Sequence, residues 1–456
     1  MSAVLFTALL LSTAQASDSV QAGASVSGTA RVASAGCAEA IGDCSWINFN
    51  DTAVFSPWFT AEPNPNVRAR THFDVRFHGS SNAHGLEETQ HLEDLQPWSM
   101  RIRDAWVSAR SEHTELKIGV QRIAWGVANG MSVVDTVNPL NLEDPTRFDQ
   151  RLSTFSMAAT AHSKTWAISG VVVPFFVPAA LPQINVDLMA GAADIFDQRF
   201  TGGESLQVGT LSSRPEAPAD SIRNTSVAAQ VRWTPSAGDF ALSWHHGKDS
   251  LPQVSGDVIL VGYQTKNDEV DVGIPLIYPT LDIVGFTGRG ELFADITGWV
   301  ETAVILPQQT QAAPNAAQLD SLVKLGTLES VPEPIPQSIT QDGNPYTKWI
   351  VGMERPFGST RITAQWLHGF FTERQANDVR DYALIGVRWT VNPTIRFDAN
   401  TASDFEGMLG DLSITYLHAD NAEISLGGTY IQGPEGSAFG GLQSASNLRT
   451  SVTMAF

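Results

Sequence analysis

Ten histidines and two cysteines are the residues of this 456-residue chain best suited to nucleophilic, acid–base or metal chemistry, and their spacing withholds it. His245 and His246 are adjacent, but neighbours in a strand point to opposite faces and cannot share a site. His84 and His91 lie near Glu87, Glu88 and Glu93 without the spacing a defined metal site shows. No Gly-x-Ser-x-Gly elbow precedes a helix, and neither a phosphate-binding glycine loop nor a Cys/His zinc pattern occurs. Cys37 and Cys44 have no flanking His at ligand spacing; in an oxidising compartment they would close a small disulfide loop. The expectation is no catalytic residue, no metal and no cofactor.

The chemistry the chain does offer is ionic and ordered by parity. In residues 67–78, Val67, Ala69, Thr71, Phe73, Val75 and Phe77 alternate with Arg68, Arg70, His72, Asp74, Arg76 and His78. Lys117, Gln121, Arg232, Arg361, Arg388, Arg396, Asp398 and Arg449 likewise stand opposite apolar neighbours. A cation facing lipid near the midplane costs roughly 2–4 kcal/mol, so these side chains are expected to line the lumen of a barrel. They would form either a conducting basic ladder or a salt-bridged filling.

Such a lumen needs a wall, and the wall's closing strand is legible at the end of the chain. Leu448, Thr450, Val452, Met454 and Phe456 share one face and Arg449, Ser451, Thr453 and Ala455 the other. About ten residues tilted by roughly 45° cover the apolar band of an outer-membrane barrel. A terminal Phe456 behind alternating apolar residues resembles the signal read by the barrel-assembly machinery of Gram-negative bacteria. Further strands are expected up to Arg110 and over residues 115–122, with short turns near 111–114, 162–164, 235–238, 288–290, 355–359, 391–394 and 419–421. Longer connections would fill 174–225, 247–280 and 307–345. The fold class is therefore all-β: a transmembrane antiparallel up-and-down barrel of about 16 strands, in a range of 14 to 18. Within residues 100–110 the register is ambiguous, because Asp104 shares a parity with Trp106. Trp166, Trp233 and Trp389 beside short turns, and Trp98, Trp244 and Trp349 beside long loops, predict two aromatic belts.

Composition agrees. The mean hydropathy of −0.07 looks soluble because half of each barrel strand faces water, and beyond the amino terminus no apolar run approaches a spanning helix. Residues 4–11 are apolar and small residues precede Ser17, so 1–16 read as a secretory signal peptide, although no Lys or Arg precedes Arg31. Residues 17–66 are expected to form a periplasmic or lumen-plugging extension, and 67–456 the outer-membrane barrel. The formal charge of −20 lies mainly in connections. Acidic loops argue against a nucleic-acid partner and suit divalent cations bridging lipopolysaccharide, though ordinary loop solubility also explains them.

The most distinctive stretch follows the third predicted strand: Gln121-Arg122-Ile123-Ala124-Trp125-Gly126, then Asp135-Thr136-Val137-Asn138-Pro139-Leu140-Asn141-Leu142. It resembles the Trp-Gly…Asp-x-x-Asn-Pro-x-x-Leu pattern of a family of Gram-negative outer-membrane barrels of largely unassigned function, related to porins and alginate-export-like barrels. Read from the residues, a segment this long between strands can fold inward and narrow the lumen. Trp125, Gly126, Asp135, Asn138, Pro139, Arg147, Asp149 and Arg151 would then border a constriction. Alternatively Asp135 and Asn138 merely cap turns and pin the segment to the wall.

Two functions follow. One is a porin-like channel for passive passage of small solutes. The other, which the resemblance also admits, is a structural or docking barrel of an envelope-spanning export or gliding-motility assembly, with residues 17–66 meeting periplasmic envelope proteins. In both, lipid, lipopolysaccharide and the barrel-assembly machinery are the expected partners.

Overall fold

The computed structural model describes residues 20–33, 48–78, 98–143, 150–180, 207–215, 224–264, 269–293, 295–315, 338–419, 421–434 and 437–456, with a few isolated positions between. The signal peptide, Cys37 and Cys44, Arg147 and Asp149, and the histidines and glutamates of 84–93 lie outside the described residues.

The chain runs β1 (Val20–Ala33), β2 (Asn48–Asn64), β3 (Val67–His78), β4 (Trp98–Arg110), β5 (Thr114–Gln121), β6 (Thr154–His162), β7 (Trp166–Val173) and β8 (Gln207–Pro215). Then come β9 (Ser226–Trp233), β10 (Asp239–Lys248), β11 (Gln253–Val254), β12 (Gly256–Gln264), β13 (Glu269–Ile277), β14 (Thr280–Phe293), β15 (Ile296–Pro307) and β16 (Thr310–Pro314). The last are β17 (Ser338–Gln341), β18 (Tyr346–Phe357), β19 (Thr360–His368), β20 (Asp381–Asn392), β21 (Ile395–Ser403), β22 (Met408–Ala419), β23 (Ala422–Gln432) and β24 (Asn447–Ala455).

Eighteen of these form one sheet in which sequence neighbours pair antiparallel. β24 returns to β1, closing the cylinder from Ser25↔Ala455 to Ala33↔Asn447. The terminal residue completes the seam: the Phe456 amide donates to the Ala24 carbonyl (2.8 Å) and the Ala24 amide to the Phe456 carbonyl (3.0 Å). Closure leaves no edge, which is what a sheet in hydrocarbon requires. The remaining six strands, β8, β11, β12, β13, β16 and β17, form a second sheet from the long connections.

The count is 18 against an expectation of about 16, because the wall begins earlier than the sequence suggests. β1 and β2 are full wall strands, paired from Val20↔Ala61 to Ala33↔Asn48, and β2 continues onto β3. The described residues 20–33 and 48–64 are thus part of the wall and not of an extension beside it. Two added strands preserve the even number, which the strand-like residues of β2 alone would break, and the alternation of β1 is obscured locally. β1 is built largely of Ala, Gly, Ser and Val, while Trp58 of β2 turns inward onto Gly23, where a β-carbon would lie 2.7 Å from the indole. The turn expected at 288–290 also moves: Gly288 and Gly290 lie inside β14, and the chain reverses between Phe293 and Ile296. A side chain at Gly290 would meet the Ala237 carbonyl at 2.7 Å, so the glycine reflects close strand approach instead of reversal.

Outward positions carry the exposed apolar residues, among them Met100, Ile118, Leu242, Val284, Leu412 and Leu426. Trp166 and Trp233 are direct cross-strand partners beside short turns, and Trp98 and Trp244 are exposed at the opposite rim, so both aromatic belts are present. The register in β4 is settled by a bulge at Arg103, which lets Asp104 pair with His72 and Ile102 with Phe73. Trp106 consequently faces inward, with the Lys117 ammonium 4.0 Å from its ring centroid.

Leu412 lies mid-strand on the outer face at 64% exposure. Leu412→Arg is expected to destabilise the barrel by about 2–4 kcal/mol, measured by denaturant unfolding in lipid vesicles. A neutral result would contradict the assigned lipid face.

Candidate functional site: the inward segment and the ionic lumen

In the connection between β5 and β6, the described residues 122–143 cross the lumen and are held near β5 and β6 by the segment's own carboxylate and amide side chains. The Asp135 carboxylate accepts from the Trp125 and Gly126 amides at 2.5 and 2.7 Å. Asn138, 2% exposed, accepts from the Ile123 amide (2.6 Å) and donates to the Gln121 carbonyl (3.2 Å), the Leu152 carbonyl (2.9 Å) and Thr154 Oγ1 (3.2 Å). Short polar side chains that satisfy backbone groups explain why Asp and Asn stand here. Both are therefore engaged in pinning the segment.

The far anchor is one the sequence analysis missed. Glu301 of β15 is fully buried, and its two oxygens accept from the Val127 and Ala128 amides (2.5 and 2.7 Å), Ser132 Oγ (2.8 Å) and the Val133 amide (3.0 Å). Beside it, Gln365 of β19 accepts from Trp299 Nε1 (3.0 Å) and donates to the Asn129 carbonyl (2.7 Å). The Trp-Gly step follows from this clamp: a β-carbon on Gly126 would lie 2.1 Å from Ser132 Oγ and 2.9 Å from Glu301 Oε1. Gly130 turns the chain at φ +76°, which favours glycine.

Apolar residues of the segment dock on the inner wall. Val134 packs with Leu281, Ile283, Ala303 and Ile305, and Met131 with Ile350, Leu367 and Tyr382. Val137 joins Val171, Val173 and Ala228, beside Trp125. Leu140 and Leu142 meet Leu251, and Pro139 is buried. The inner face of β14–β23 thus carries a hydrophobic core that a strictly polar lumen would lack. Parity alone does not reveal it, because β14 and β15 carry apolar residues on both faces there, with Leu281, Ile283, Ala303 and Ile305 inside and Val284, Phe286 and Leu306 outside.

The cations expected in the lumen lie on the inward parity, mostly paired with carboxylates. Arg68 meets Glu62 (3.0 Å), Arg70 meets Asp104 (3.6 Å), and Arg361 meets Glu354 (3.5 Å). Arg388 and Arg396 share Asp398 at 2.6 and 2.9 Å; Arg232 pairs with Asp239. Arg449 bridges Asp411 at 2.6 and 2.8 Å and donates to Thr429. Asp74, wholly buried, accepts from Ser56 (2.7 Å) and Arg103 (2.9 Å). Gln121 is buried and donates to the Ser156 carbonyl (3.1 Å). This is the salt-bridged arrangement, in which charges on neighbouring strands neutralise one another.

One such cluster ties wall and segment together: Glu143 accepts from Arg76 (2.9 Å) and Arg101 (2.9 Å). Burial raises the Glu143 proton affinity, but hydrogen bonds and charge from Arg101 and Arg76 outweigh it and hold the carboxyl below its ordinary value. Arg151 is half-buried and donates to the Ser132 carbonyl (3.2 Å); its partial desolvation lowers its pKa to about 10 against the opposing pull of Asp135. His245 faces inward, its Nδ1 3.1 Å from Thr136 Oγ1, while His246 faces outward against Asp282 (3.0 Å), so the pair shares no site.

No family model matches the chain, and no curated protein matches its sequence. Solved structures do. OccAB4 of Acinetobacter baumannii has a TM-score of 0.52 at 7% identity, covering 97% of this chain and 99% of that one. A BenF-like porin from Pseudomonas fluorescens and OpdK of Pseudomonas aeruginosa, the latter solved with vanillate, each score 0.51, at 9% and 8% identity, with 96% of this chain and 98% of theirs covered. At such identities the likeness establishes the fold. The fold is the closed antiparallel β-barrel of these porins, and the belt of exposed apolar side chains suits a surround of lipid.

Glu301→Gln leaves one acceptor oxygen where the segment offers donors to two. Each unpaired buried donor costs roughly 1–3 kcal/mol, so faster protease cleavage within 122–143 of the otherwise intact barrel is expected; an unchanged cleavage rate would refute the clamp. Because the Glu143 carboxyl is held below its ordinary value, its contribution is complete above about pH 4.5 and is lost as pH falls through the lowered value. The acid limb of a pH–stability curve should flatten in Glu143→Gln, by denaturant midpoints from pH 3 to pH 6.

Proposed function

We propose that this chain is a porin-like outer-membrane channel for passive passage of small solutes. The observation that carries the reading is the inward segment, tied by Glu301 and Gln365 to the wall opposite its origin, so that any solute must pass beside it. Trp125, Gly126, Asp135, Asn138, Pro139 and Arg151, with Arg147 and Asp149, are the proposed constriction. Arg68, Arg70, Asp74, Arg76, Lys117, Gln121, Arg232, Arg361, Arg388, Arg396, Asp398 and Arg449 are the proposed lumen lining. Pairing of most of these cations removes the excess charge of a bare basic ladder and favours selection by size over strong anion attraction.

Porin neighbours support transport and not catalysis, and one of them, OpdK, is solved with the small solute vanillate. Phe456 at the closing seam suits recognition by the barrel-assembly machinery. The docking alternative depended on a free extension over 17–66, and β1 and β2 occupy the wall there.

Purified protein in a planar bilayer should give discrete single-channel steps, and Glu301→Gln should raise their amplitude by loosening the constriction. A folded barrel that stays electrically silent in both forms would overturn the channel reading.

A further inference from the structure

Two like constellations stand on the outer surface of the wall, at the rim that carries the long connections. Trp244 and His246 of β10 lie on the outward parity, and Asp282 of β14 is the direct cross-strand partner of His246. Trp366 and His368 of β19 repeat the arrangement, with Asp381 of β20 opposite His368. In each, a single carboxylate oxygen, Oδ1, accepts from the indole Nε1 and lies against the imidazole Nδ1. The distances are 3.3 and 3.0 Å at Asp282, and 3.2 and 2.9 Å at Asp381. Each imidazole also has an indole stacked on it: Trp244 on His246 with centroids 6.3 Å apart, and Trp349 on His368 at 5.5 Å.

Tryptophan by itself suffices to anchor a strand at a membrane interface, so the carboxylates need another reason. Charge on the lipid side of a barrel is costly unless it lies at headgroup level and finds a partner there. Asp282 and Asp381 are 42% and 47% exposed, and their Oδ2 atoms make no bond among the described residues. Trp244 and Trp366 are exposed beside them. At the second site Phe405 adds a ring 5.4 Å from Trp366. Its φ of +68°, unfavourable for a bulky residue, presents that ring outward at 63% exposure.

The occupant of such a site must bring a hydrogen-bond donor for the carboxylate and a flat apolar surface for the indole. A pyranose ring supplies both, with hydroxyls at its edge and C–H groups on its face. A glycerophospholipid headgroup has no such face. Lys248, on the same side of β10, donates to Thr280 Oγ1 (2.9 Å) and could meet a phosphate, but the second site has no matching outward cation among the described residues, so phosphate is not the shared requirement. Solutes in the lumen cannot reach the outward parity. From β10 to β19 the wall takes four strand steps, roughly 19 Å at about 4.8 Å each, which gives every site room for its own headgroup.

We infer that the Trp244, His246, Asp282 cluster and the Trp366, His368, Asp381 cluster each hold the sugar headgroup of one membrane glycolipid of lipopolysaccharide type. The inference goes beyond passive passage and does not require the barrel to conduct.

The test is native mass spectrometry of the full-length, detergent-purified barrel in EDTA, so that no divalent cation bridges lipid to carboxylate. The probes are the diglucosamine lipid anchor of lipopolysaccharide, with and without its phosphates; phosphatidylglycerol and phosphatidylethanolamine serve as comparisons. Two bound diglucosamine lipids per barrel are expected with either form. Asp282→Leu and Asp381→Leu should each lower the population carrying a second lipid at least tenfold, although both make the wall more apolar. Trp98→Leu, at the same rim, should change nothing. Assembly of each variant is checked by heat-modifiable electrophoretic mobility. Should an aspartate variant fail to assemble, Trp244→Leu or Trp366→Leu at the same cluster carries the comparison with the same expectation. Equal loading by either phospholipid, loss of binding on removal of the phosphates, or unaltered loading in the assembled cluster variants would each overturn the inference. Conductance without the two glycolipids would remove these sites and leave the channel reading standing; two glycolipids on a silent barrel would do the reverse.

Discussion

A backbone amide or carbonyl left without a partner in hydrocarbon costs several kcal/mol, and this single constraint governs the architecture. A sheet meets it only by closing on itself, so β1 must find β24 and the chain must end where it began. The Ala24–Phe456 pair of backbone hydrogen bonds shows closure carried to the last residue. Once the cylinder is closed, strand alternation divides every side chain between lipid and lumen, and everything else in the molecule concerns what fills the inside.

The interior is filled in two chemically distinct ways. Along β2–β5 and β20–β24 the inner face is ionic, with Asp74, Asp398 and Asp411 each serving guanidinium groups from their own or neighbouring strands. Over β14, β15, β18 and β19 it is apolar where the inward segment presses against it, and Ala303, Ile350 and Leu367 are wholly buried there. Glu301 sits within the apolar half, and four donors from the segment converge on its carboxylate. A charged group so placed is tolerable because every one of its bonds is made by a neighbour that would itself be unsatisfied without it.

Alternation made much of the wall legible from residues alone. β3 and β24 separate charge from hydrocarbon at every step, and the tryptophans beside the turns marked both membrane interfaces. β1 escaped because Ala, Gly and Ser on both faces erase the contrast, and β2, strand-like up to Trp58, cannot be admitted without β1 because a single added strand makes the count odd. The segment's near anchors, Asp135 and Asn138, were visible as turn chemistry close in sequence to what they bind. Glu301 was not, since it is 173 residues from Ala128 and stands among Trp299, Ala303 and Ile305, a pattern that reads as ordinary buried strand. The bulge at Arg103 likewise needs a partner strand before it can be recognised. Long-range side-chain contacts have no period, and periodicity was the main local signal.

The segment over 122–143 is fastened at β5 and, far around the circumference, at β15 and β19, which flank β18. A strut across a hollow tube resists flattening of its cross-section, so the cylinder should be stiffer along that chord than across it. Lateral pressure from the surrounding lipid would then be felt at the narrowest passage, coupling the mechanical state of the membrane to the size of what can slip by.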